Sequence, residues 1–153
     1  MIDVLAPSYT GKHQPNQQHG AVVVDEIPGL GYALATDPVV LDLAVVLTTG
    51  AELSTVVRLP GPLPALFLKL LAYDSRFAPK DAEDIWRMLA VCHAAGVGPD
   101  AWKSSITHRS ASSVLIRFAA INSSALRQIT PDRALHARIR ALALAVGPGV
   151  EGG

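Results

Sequence analysis

The apolar positions change period along the chain. Up to about residue 60 they come in short runs or alternate with polar ones; beyond that they recur every three or four residues. Residues 2–6 are apolar on both sides of Asp3 and stopped by Pro7, which predicts a buried strand. Residues 8–20 are polar and hold Gly11 and Pro15, which predicts a loop. Residues 21–27 are β-branched and predict a strand that ends before Pro28-Gly29, with a short helical turn over 30–35. Residues 39–47 and 53–59, separated by Thr49-Gly50, predict a hairpin. Pro60, Pro62 and Pro64 then end the sheet and stiffen the approach to the first long helix.

That helix is predicted over 63–74. A second, over 81–95, places Ile85, Met88, Leu89 and Cys92 on one face, and Gly96 and Gly98 fit its C-terminal cap. Pro99-Asp100-Ala101-Trp102 restarts a helix. A third helical region is predicted over 110–128, with Val114, Phe118 and Ile121 on one face. Thr130 reads as an N-cap with Pro131 at the first helical position, opening a last helix over 131–146 with Leu135, Ile139, Leu142 and Val146 on one stripe. The fold expected is α+β: a mixed sheet followed by a helical bundle. It makes one domain over 1–146, β-rich over 1–60 and helical over 61–146, with a flexible tail at 147–153.

Composition narrows the function classes. Half of the 153 residues are apolar, enough for a real core. Acidic and basic residues balance at 13 each, so no global field favours nucleic acid or an anionic membrane. The single cysteine, Cys92, excludes an internal disulfide and a cysteine-built zinc site, and its place on an apolar helix face reads as core packing. No run of about 18 apolar residues predicts a membrane span. Met-Ile-Asp-Val lacks the basic start of a signal peptide, so the cytoplasm is the expected compartment.

One lysine, Lys69, lies inside the strongly apolar run at 62–72. An apolar helix has no structural need for an ammonium group at its centre, and a buried charge must be paired or it neutralises. The natural partners are the carboxylates of Lys80-Asp81-Ala82-Glu83-Asp84, which open the next helix. Asp81 and Asp84, three apart, share a helix face.

Four pieces of the chain line up in order with minimal nucleotidyltransferases: Ile2-Asp3-Val4-Leu5 followed by Pro7; Ile27-Pro28-Gly29-Leu30; the hairpin ending Val56-Val57-Arg58-Leu59-Pro60; and Leu68-Lys69-Leu70-Leu71-Ala72 with Arg76, Lys80-Asp81 and Asp84-Ile85-Trp86. Over residues 2–99 the chain resembles the nucleotidyltransferase superfamily. The type it resembles is found as toxins in abortive-infection type IV toxin–antitoxin systems and in related actinobacterial proteins. The resemblance implies transfer of a nucleotidyl group from an NTP to an acceptor hydroxyl on a tRNA, a protein or a small molecule. In the intact family Mg²⁺ holds the triphosphate through carboxylate oxygens. Carried onto this chain, Asp3 takes the place of the third metal-binding carboxylate, and Lys69 stands near the phosphates. Asp81 orients that lysine or acts as a base, with Asp84 beside it, and Arg76 and Lys80 contact phosphate. The resemblance also implies that Lys69, Asp81 and Asp84 converge near the end of the strand bearing Asp3.

The chain departs from the family pattern at the front. The family carries a Gly-Ser pair followed about ten residues later by Asp-x-Asp or Asp-x-Glu on a strand–turn–helix, and no such arrangement occurs here. Asp3 alone makes a poor Mg²⁺ site. The expectation is a nucleotidyltransferase-like protein that is catalytically incomplete by itself and binds neither Mg²⁺ nor NTP. A start placed too late, a decayed gene and an incomplete piece all fit. The strand at 2–5 would then present an unpaired edge that recruits another chain.

Plainer readings stand beside these. Lys69 can snorkel over the core, Asp81 can be an N-cap, and Arg76 and Lys80 can be solvated loop charges. His13 and His19 lie in one predicted loop with no element to fix them, and His93, His108 and His136 fall on separate helical segments, so no metal cluster is expected. The serines lack the Gly-x-Ser-x-Gly elbow of hydrolases. Arg127, Arg133, Arg138 and Arg140 make the rear helices basic, a solvated face or a contact for tRNA. The competing class of function is a non-enzymatic interaction module that binds an antitoxin or a second copy of the chain.

Overall fold

The computed structural model describes residues 4–103 and 105–149, so the expectations for Ile2, Asp3 and residues 150–153 lie outside the described residues. The fold is α+β, with two small sheets in the front part and helices behind. In the first sheet β3 (Val22–Ile27) is central. β1 (Leu5–Pro7) runs parallel to it on one side and β2 (Gln14–His19) antiparallel on the other. The loop expected at 8–20 is therefore wrong in part, because it contains β2. That strand is Gln-Pro-Asn-Gln-Gln-His, an edge strand whose proline sits at a bulge between Gln14 and Gln17, so it carries none of the apolar signal of a strand. A two-residue turn with Gly20 at φ +62° returns it to β3. β1 lies at the sheet edge and its Leu5 is exposed, while Val24 and Glu26 of β3 are buried.

After the short helix α1 (Leu30–Leu34), β4 (Val39–Val46) and β5 (Glu52–Leu59) form a separate hairpin in continuous register, from Val39 opposite Leu59 to Val46 opposite Glu52. Side chains alternate across a strand and directly opposed residues share a face. One face thus carries Val39, Leu41, Leu43 and Val45 beside Leu59, Val57, Thr55 and Leu53. Seven of those eight positions are apolar. The other face is mixed, with Asp42, Ser54, Glu52 and Arg58 among its residues. Among the described residues, no element other than the hairpin's own two strands packs substantially against either face.

The helical part comprises α2 (Pro62–Arg76), α3 (Pro79–Ala94), a 3₁₀ turn (Pro99–Ala101), α4 (Ile106–Phe118), α5 (Ser124–Ile129) and α6 (Arg133–Val146). α2 opens with prolines at its first turn. It closes at Phe77, whose φ of +51° reverses the chain so that Pro79 can begin α3. The predicted stripes on α3 and α6 face inward: Ile85, Leu89 and Cys92 are buried, as are Ile139 and Val146. With Leu66, Phe67, Leu70, Ala111 and Phe118 they form one core drawn wholly from helices.

Two expectations for the rear helices fail. The helix predicted over 110–128 is two helices, α4 and α5, with a turn closed by the Ser123 amide donating to the Ala120 carbonyl. Ile121 falls in that turn and is 75% exposed, not on the face shared by Val114 and Phe118. The last helix is capped by Asp132, not Thr130: Asp132 Oδ1 accepts from the Ala134 amide at 2.8 Å, and Pro131 lies outside the helix. No helix of the described residues is long and apolar enough to cross a membrane.

Candidate functional site

Lys69 sits at mid-helix on α2, and two turns further on the same helix carries Arg76. The short reversal at Phe77-Ala78 brings α3 back along α2, so carboxylates early in α3 meet cations late in α2. Lys69 Nζ donates to Asp84 Oδ2 at 2.8 Å. Arg76 reaches Asp81 with two bonds, Nη2 to Oδ1 at 2.8 Å and Nε to Oδ2 at 3.1 Å. The lysine in the apolar run is paired with a carboxylate of the next helix, but it is not buried: its side chain is 41% exposed.

The partners sort by pair. Lys69 takes Asp84, and Asp81 belongs to Arg76. Asp81 is nearly buried, at 4% exposure, in the first turn of α3, where the helix dipole favours a negative charge. It makes no capping bond, since the N-cap of α3 is Ala78. Asp81-Ala82-Glu83 is an Asp-x-Glu by sequence, but on a helix the two carboxylates part: Glu83 pairs with Arg87 in an i,i+4 bridge. Lys80 is exposed. Asp84 is held below the ordinary carboxylate range, chiefly by the hydrogen bond from Lys69; partial burial opposes this, and the charges of Lys69, Lys80 and Arg87 add to it. Asp3 lies outside the described residues.

Lys69 and Arg76 border a cleft of about 320 Å³ between α2 and the first sheet, walled by Leu5, Ile27, Pro28, Leu30 and Leu71. Gly29 lies between two of its lining residues, Pro28 and Leu30, and packs under a third, Leu71. Its φ is +80°, and a Cβ there would lie 2.9 Å from Leu71 Cδ1. Leu5 belongs to β1, so the cleft joins the strand that follows Asp3 to the helix that carries Lys69. His13 also lines it. Nothing in the polar, glutamine-rich segment around His13 signals that placement. β2 likewise fixes His19, which approaches Glu26 at 3.1 Å.

A larger hollow, about 710 Å³, lies at the far side of the helices beside Trp102, His108 and Arg117. Arg117 pairs there with Asp74. His108 is buried among Tyr32, Phe67 and Trp102, and its Nδ1 accepts from the Lys103 amide at 2.8 Å. Burial holds its pKa below the ordinary imidazole value, with Lys103 adding to the effect. Cys92 is fully buried, and burial pushes its thiol up to about 11. Among the described residues no group of three or more His, Cys, Asp or Glu side chains is arranged to hold a metal ion.

Compared with family models, curated proteins and solved structures, the chain matches none.

Proposed function

We propose that the chain is a nucleotidyltransferase-like protein whose own residues supply the lysine–carboxylate side of the site and not its metal-binding side. The observation that supports this reading is the double pair Lys69–Asp84 and Arg76–Asp81 set along a cleft that β1 also walls. Asp84 orients the Lys69 ammonium at 2.8 Å and offsets its charge. Arg76 is held in the same way by two bonds to Asp81. Positioned cations of this kind serve phosphoryl and nucleotidyl transfer by stabilising charge that builds on the phosphates, and their fixed geometry removes the cost of reorganising them.

The described residues do not fit a Mg²⁺ site: Asp81 gives both oxygens to Arg76, Asp84 gives one to Lys69, and no group of three or more such side chains is arranged to hold a metal. Lys69 is 41% and Arg76 59% exposed while bonded to Asp84 and Asp81, so both can meet a phosphate as they are held, but no group of side chains among the described residues is arranged to hold the metal that transfer needs. The chain alone is therefore expected to transfer nothing. Incubation with each labelled NTP, Mg²⁺ and total tRNA should give no product above background. Transfer by the chain alone that is lost in Lys69→Ala would overturn the reading of an incomplete site.

A further inference from the structure

The apolar face of the β4–β5 hairpin is patterned for burial and is not buried. Period-two alternation with one clean apolar face is the pattern of a sheet packed on one side. Here the six of its residues from Val39 to Leu59 that stand most open, leaving aside Val57 and Thr55, remain 38% to 53% exposed. A two-stranded hairpin is marginal in water without such cover.

We infer that this face packs against the same face of a second copy of the chain. The face, centred on the opposed pair Leu43 and Thr55, carries no charged residue, so a charged partner gains nothing there. What it fits is a flat apolar sheet face of equal length, packed at about 10 Å. A second copy offers that face in the same register, and a two-fold axis through its centre closes the assembly at two. The chain's formal charge is zero, so no net repulsion opposes the pairing. The area sets the strength. Six half-open apolar side chains leave on the order of 300 Å² of apolar surface per copy. A standard interface buries about 800 Å² per partner, of which a little over half, about 450 Å², is apolar. The face falls short of that, so the dimer is a weak, concentration-dependent one. This inference is independent of the nucleotidyltransferase-like reading.

Sedimentation velocity of the full chain over a concentration series tests it. The expected result is a concentration-dependent shift from 16.1 kDa to twice that mass. Leu41→Glu, on the apolar face, should raise the dissociation constant at least about a hundredfold. It should leave the far-UV circular dichroism unchanged, because the helical core does not include the hairpin. Val56→Glu, on the opposite face, should leave the dimer intact. Should Leu41→Glu fail to fold, cysteine pairing decides. Thr55→Cys, at the polar centre of the face, should cross-link two copies under mild oxidation, and Ser54→Cys on the opposite face should not. Cys92 is buried and stays silent in that assay. A monomer at every concentration, a dimer that survives Leu41→Glu, or cross-linking as efficient at Ser54→Cys as at Thr55→Cys would each overturn the proposal.

Discussion

At the scale of single residues, the two ion pairs between α2 and α3 differ in what each partner stands to lose. Asp81 is nearly buried, whereas the Arg76 side chain is 59% exposed. Arg76→Ala leaves a buried carboxylate without its partner, and a loss of about 2–3 kcal/mol is expected. Asp81→Ala returns the guanidinium to water and should cost less, about 1 kcal/mol, chiefly the lost helix-dipole term. Urea unfolding midpoints of the two variants read this asymmetry, and equal losses would contradict it. The pH dependence follows from two lowered pKa values. Asp84, lowered chiefly by Lys69, contributes stability that is present above about pH 3.9, its unfolded value, and is lost as pH falls through the folded one. His108, lowered chiefly by burial, contributes fully above about pH 6.5 and loses its contribution as pH falls toward its folded value, because the unfolded chain binds the proton first. Thermal melts between about pH 7.5 and 5 should therefore show falling stability, and His108→Leu should flatten that slope. A wild-type midpoint that stays constant over this window would contradict the assignment. Arg76 reads from the sequence as a loop charge beyond a helix ending at 74, so its place in α2 and its two bonds to Asp81 were not legible at this scale. That Lys69 would meet a carboxylate of the next helix was legible. Which aspartate took which cation was not, since that depends on the helix rotation set at Phe77.

At the scale of elements, the strongest sequence signals were those with a sustained period. α2, α3 and the β4–β5 hairpin stand within two residues of their expected bounds. β2 was hidden because an edge strand facing mostly solvent needs no apolar side chains, and its pairing with β3 rests on the backbone ladder and on polar contacts, Asn16 to Asp25 and His19 to Glu26. The break between α4 and α5 was hidden because Ile121 keeps the helical period past the point where the chain turns. Asp132 displaced Thr130 as a cap because the helix begins only at Arg133, with Thr130 extended and Pro131 in a bend before it. Gly29 links an element to the cleft: its left-handed backbone turns the chain from β3 into α1 beneath Leu71. Gly29→Ala should cost about 1–2 kcal/mol from the backbone alone, and displace Leu71 besides. Gly11→Ala, also at positive φ but in open space, should cost the backbone share only. A smaller loss at Gly29 than at Gly11 would contradict the close approach.

At the scale of the whole molecule, the core and the sheets are separable. The buried cluster is drawn from α2 to α6, while the strands lie outside it. Amide exchange should therefore be slowest in α2, α3 and α6 and faster in β1, β2 and the hairpin. Hairpin amides protected as strongly as those of α3 in the monomer would mean that the sheets share the core. The same division locates the functional reading: the helices hold the positioned cations, and the strand that follows Asp3 forms the far wall of their cleft. The central claim is that Lys69 and Asp84 act on a nucleotide once a metal-binding unit stands beside them. Its most direct test joins, in front of the chain, a strand–turn–helix carrying Gly-Ser and Asp-x-Asp, and measures nucleotidyl transfer from labelled NTP with Mg²⁺ to total tRNA. Transfer should fall about 10²- to 10³-fold in Lys69→Ala and in Asp84→Ala, while both variants keep their fold. Transfer undiminished by either substitution, or a folded fusion with no transfer at all, would contradict it.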